Sequence, residues 1–177
     1  MSVVPDSDTM ALEEAAELAS PVIVSTGGKK SERPEAEAAG DQLGPWTWQP
    51  ITFSGGVPVG GWAQLTLHRN GAYNFSGHFH DSGFPPYKDA LVWVVKDSKN
   101  VAYVFRHRGH MGGTIGGGSR DDDWNQSGRH DALAAGWNDL LRHWQYKASA
   151  AANLDIGPVF DIVMKGIGVV ASVIAIV

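Results

Sequence analysis

The chain has 177 residues, 43% apolar and 10% aromatic, enough for one ordinary domain with a core plus tails. It has no cysteine, which excludes a disulfide framework and any thiolate metal site. Formal net charge is −5; residues 1–45 alone carry nine acids and three bases, a net of −6, which leaves residues 46–177 near +1. A phosphate-backbone binder usually shows a basic face, so no nucleic-acid partner is expected.

Residues 1–45 read as an acidic, largely disordered leader with a short helix. Asp8 can cap that helix over residues 11–19, and Ser20-Pro21 stops it. Residues 25–45 are dominated by small and charged side chains, the composition of a linker. No signal peptide is recognised, since the basic start and apolar centre of one are missing.

Residues 46–152 read as the folded module. Trp46 and Trp48, then Ile51 and Phe53, alternate with polar residues, and Pro50 marks an edge or a bend. Gly55, Gly56, Gly60 and Gly61 mark a turn region. Two alternating runs then flank Asn70-Gly71, a hairpin signal. A two-residue loop would mix polar and apolar side chains on both faces. A three-residue loop, Arg69 to Gly71, sets Leu67 opposite Tyr73 and Leu65 opposite Phe75. Ala63, Leu65, Leu67, Tyr73, Phe75 and Phe79 then share one face; Gln64, Thr66, His68, Asn74, Ser76, His78 and His80 share the other.

Pro85-Pro86 interrupts pairing after the hairpin, and Phe84 and Tyr87 on that loop are expected to cover a pocket mouth or plug one end of the fold. Residues 90–95 are apolar on both faces, as in a central strand covered on each side. Residues 101–108 return as its partner. Residues 111–128 read as a glycine-rich polar loop in which Ile115 can carry one short strand. Residues 131–147 read as a helix capped by Asp131, with Leu133, Trp137, Leu140, Leu141 and Trp144 on one stripe and Gly136 allowing close approach. The expected fold is therefore mainly β: an antiparallel meander forming a small barrel or sandwich, with one amphipathic helix packed after the strands.

Residues 153–177 form an apolar tail, charged within residues 156–177 only at Asp161 and Lys165. Its uncharged final 12 residues would span about 18 Å as a helix, short of the roughly 30 Å of bilayer hydrocarbon. The readings are a buried strand or helix, or a segment that contacts a membrane or a protein partner.

Three functional readings follow. The first is a non-enzymatic module binding a small molecule or glycan, with a site drawn from the polar hairpin face and the 111–128 loop: Trp62, Gln64, Thr66, Asn74, Ser76, Arg120, Asp122, Asp123 and Trp124. Flat aromatic faces beside amides and carboxylates suit sugars. The second is a metal-dependent enzyme. His78 and His80 lie on one face of a strand because side chains alternate, and His107 comes from a neighbouring segment; three such ligands would suit zinc or another divalent metal. The third is a structural subunit whose apolar tail docks into an assembly.

Overall fold

The computed structural model describes residues 21–31, 40–114 and 117–177. The helix expected over residues 11–19 and the short strand at Ile115 lie outside these residues. The described chain forms two β-sheets and three short helices. The first sheet has the order β1-β8-β5-β6-β9 and the second β2-β3-β4-β7. The strands are β1 (Val22–Lys29), β2 (Gln42–Thr52), β3 (Val59–His68), β4 (Ala72–Asp81), β5 (Tyr87–Lys96), β6 (Val101–Met111), β7 (Asp121–Arg129), β8 (Gln145–Ala152) and β9 (Ser172–Ala175). The helices are α1 (Asp131–Ala135), α2 (Trp137–Arg142) and α3 (Ile156–Ile167). The sheets do not close into a barrel, so the sandwich is the architecture adopted.

The hairpin takes the register that its side-chain pattern requires. Leu67 pairs with Tyr73 and Leu65 with Phe75. Gly71 closes the turn at φ 87°, a conformation open to a residue without Cβ, and its N–H donates to His68 O at 2.9 Å. Ala63, Leu65, Leu67, Phe75 and Phe79 are buried against Leu91, Trp93, Val95 and Phe105 of the first sheet. β5 is central in its sheet and buried on both faces. Its other face, with Val92 and Val94, meets Val159, Val163 and Ile167 of α3. The molecule thus has three layers: helix, first sheet, second sheet.

Three departures from the sequence reading have physical causes. Val22–Lys29, largely within the presumed linker, is an edge strand paired with β8 from Val22–Ala152 to Lys29–Gln145; neighbouring backbone, not side-chain size, holds it. Asp121–Arg129, expected in a loop, is β7, paired with β4 along its length. The helix expected over residues 131–147 is two short helices followed by β8. Gly136 separates them, with the Tyr103 hydroxyl filling the space its Cβ would need, and His130 rather than Asp131 is the N-cap. The alanine-rich β8 has strong intrinsic helix propensity, overridden by pairing with β1 on one side and β5 on the other. The apolar tail packs on its own sheet as α3 and β9, in line with the buried reading of that segment. No described helix is long and apolar enough to cross a membrane.

Candidate functional site

β6 of the first sheet and β7 of the second run close together at one flank of the sandwich. Alternation turns Phe105, His107 and Gly109 of β6 inward, and likewise Asp122, Trp124 and Gln126 of β7. Asp89 stands opposite Gly109 in the β5–β6 ladder and shares the inward face of β5 with Leu91 and Trp93. Three titratable groups therefore meet at the end of an otherwise apolar core.

Their geometry is tight. His107 Nε2 lies 2.7 Å from Asp122 Oδ2 and 3.6 Å from Asp89 Oδ1. One ligand atom from each of Asp89, His107 and Asp122 falls within 4.8 Å of the other two. The His107 ring stacks on Trp124, with centroids 4.1 Å apart and planes 10° apart. Asp89 is 2% exposed, and no hydrogen-bond donor reaches either of its carboxyl oxygens. Burial pushes the Asp89 carboxyl up, and the hydrogen bond to Asp122 and the charge of that neighbour push it further, to about 9. Near neutral pH Asp89 is thus a neutral acid with an O–H to offer Asp122. Burial raises Asp122 too, but the hydrogen bonds from Asp89 and His107 and the His107 charge outweigh it, leaving this carboxyl below its ordinary value. The two acids are driven apart by their surroundings, one protonated and one ionised.

The residues expected from sequence divide between two faces of the second sheet. Trp62, Asn74, Ser76 and Asp123 line a shallow depression on the outer face with Asn125, whereas the Trp124 ring lies on the inner side, in the space left by Gly77 and stacked on His107. Gln64 and Thr66 are on that face as cross-strand partners of Ser76 and Asn74. Asp122 points to the opposite, inner side. Arg120 belongs to neither group: its Nε and Nη2 donate to Asp81 O and Gly83 O at 2.8 and 2.9 Å, fastening the β4–β5 loop. On that loop Phe84 is 68% exposed and covers no mouth, while Tyr87 is buried in β5.

The three histidines are not brought together. His78 Nδ1 is 2.7 Å from Asp123 Oδ1 and His80 Nδ1 is 2.7 Å from Asp121 Oδ1, both on the outer face, as cross-strand pairs of the β4–β7 ladder. His107 alone reaches the interior, where its partners are carboxylates. Asp89 was not anticipated. An acid aligned by parity with Leu91, Trp93 and Val95 in an apolar strand is the signal that could have found it.

No family model matches this chain, and no curated protein matches it.

Proposed function

We propose that the chain is a binding module built around a divalent cation, with Asp89, His107 and Asp122 as its protein ligands from β5, β6 and β7. The observation that supports this reading is the convergence of the buried Asp89 carboxyl, whose oxygens receive no hydrogen bond, with His107 and Asp122. Two carboxyls crowded together away from water are costly to ionise without a compensating cation. A doubly charged cation would partner both carboxylates at once. Ligand atoms within 4.8 Å of each other suit a metal with bonds of about 2.0–2.2 Å. Two oxygens and one imidazole nitrogen favour zinc or manganese over calcium, which prefers six to eight oxygens. Three protein ligands leave coordination positions for an oxygen of a bound ligand or water.

The test is titration of the full chain with Mn²⁺, followed by calorimetry and by the loss of the free-ion electron paramagnetic resonance signal. The expected result is one ion per chain, with affinity lowered at least a hundredfold by Asp122→Asn. Equal affinity in wild type and variant would overturn the reading.

A second reading is favoured by the outer depression, where the Trp62 ring lies beside Asn74, Ser76, Asp123 and Asn125. An aromatic face with amide and carboxylate neighbours suits a sugar ring. Affinity electrophoresis in gels containing neutral polysaccharides would show retardation that Trp62→Ala abolishes; equal migration of both proteins in every gel would dismiss it.

A further inference from the structure

The β6 edge carries a second feature. The β6–β9 ladder ends at Val104, and among the described residues no strand pairs with β6 beyond it on that side. Ile176 and Val177 both donate their N–H to Val104 O, which fixes the edge toward which Val104 turns its main-chain groups. By strand alternation Arg106, Arg108 and His110 turn theirs the same way.

Two adjoining clefts open along this edge and share Arg108 and Ile156. One, of about 420 Å³, also includes Arg106, His107 and Gln126; the other, of about 610 Å³, includes Lys88, Asp89 and His110. Each falls in the size range of small-molecule sites. Lys88, Arg106, Arg108 and His110 are exposed, and among the described residues no side-chain carboxylate forms an ion pair with any of the four. Arg106 Nε donates to Val177 O at 3.1 Å, which leaves the rest of its guanidinium available. Asp155 is the acid that faces this group from the start of α3. Lys88 and Arg108 line one cleft and Arg106 and Arg108 the other, on the α3 side of the sheet, while the Asp89 carboxyl turns to the opposite side.

We propose that this groove binds an oxyanion, the phosphate or carboxylate group of a small ligand, held by Lys88, Arg106 and Arg108. The chemistry is that of charge-assisted hydrogen bonds, with the arginine forks matching two oxygens at once. These contacts do not depend on the cation reading.

The experiment uses the full chain and three probes of one shape: phenyl phosphate, benzoate and neutral benzyl alcohol, each titrated by calorimetry with Mn²⁺ present and again in EDTA. One or both anions are expected to bind, and the anion that binds tighter identifies the head group. Lys88→Gln combined with Arg108→Gln should weaken that binding at least tenfold and leave Mn²⁺ affinity unchanged. Anion affinity no better than that of benzyl alcohol, or unchanged in the double variant, would overturn the groove proposal. If Mn²⁺ binds but the anions do not, the groove falls and the cation centre stands. If the anions bind in EDTA with the same arginine dependence and Mn²⁺ does not bind, the cation centre falls and the groove stands.

Discussion

The Asp122 carboxylate lies where a side chain on Gly109 would begin: a Cβ at residue 109 would be 1.9 Å from Asp122 Oδ2. The absence of that one atom lets β7 bring a carboxylate onto β6 and within 2.7 Å of His107. Gly109→Ala should therefore displace Asp122, costing about 1–3 kcal/mol as an overpacked contact and lowering Mn²⁺ affinity. Denaturant unfolding and Mn²⁺ titration on the same preparation check both. Wild-type affinity in the variant would mean that Asp122 is not held to this position.

The raised Asp89 carboxyl sets a direction for pH dependence. Its folded value is about 9, against about 3.9 in an unfolded chain. Between these limits the folded state holds a proton that the unfolded state has released, so this group's contribution to stability falls as pH rises. The depressed Asp122 acts the other way, but only as pH drops toward its unfolded value, below this window. Without divalent cations the wild type should thus lose stability from pH 5 to pH 8.5. Asp89→Asn should flatten that slope and be more stable at pH 8.5, on the order of 2 kcal/mol, by replacing an ionisable buried group with a neutral isostere. Urea unfolding in EDTA at both pH values decides it, and parallel slopes for the two proteins would refute it.

Two glycines should respond to alanine with opposite signs. A Cβ on Gly77 would lie 2.1 Å from the Trp124 ring, in the packed core, whereas a Cβ on Gly157 in α3 meets nothing within 4 Å. Gly77→Ala should destabilise by about 1–3 kcal/mol and shift the tryptophan emission. Gly157→Ala should stabilise by up to about 1 kcal/mol through helix propensity. Thermal unfolding of the pair measures the contrast.

Removal of residues 153–177 would uncover Ala90, Val92, Val94, Ala102, Val104 and Ala151, which α3 covers with Val159, Val163 and Ile167. It would also strip β9 from β6. The shortened chain should self-associate and bind a hydrophobic dye, both visible by size-exclusion chromatography and fluorescence. A monodisperse, dye-negative product would show the helix to be dispensable for folding.

What was legible in the sequence depended on the range of the interaction. The β3–β4 register follows from the pattern of two neighbouring runs and a turn, so Leu65–Phe75 pairing could be read directly. The double burial of β5 was legible for the same reason. β1 and β8 pair 124 residues apart at Ser25 and Ser149, and nothing in either short run announces the other. β7 is polar on its outer face and glycine-flanked, so its strand character comes from β4. The site divides likewise: Trp62, Asn74, Ser76 and Asp123 share a depression as local alternation suggested, while the meeting of Asp89, His107 and Asp122 required three strands from two sheets. The histidine pair on β4 lies on the opposite side of the sheet from that cluster.

Lys96 is nearly buried, and its ammonium donates to Ile167 O at 2.8 Å and Val169 O at 2.9 Å, closing the end of α3. Near the other end of the helix, Asn153 N donates to Lys88 O and Lys88 N to Asn153 Oδ1. Both fastenings belong to β5, at its first and last turns of sequence. The helix therefore cannot peel progressively from one end without breaking a tie to the central strand. Its amides should exchange with solvent deuterium in one correlated event rather than as a fraying gradient. On the time axis of breathing motions, the wall beside Arg108 should then open together with the central strand.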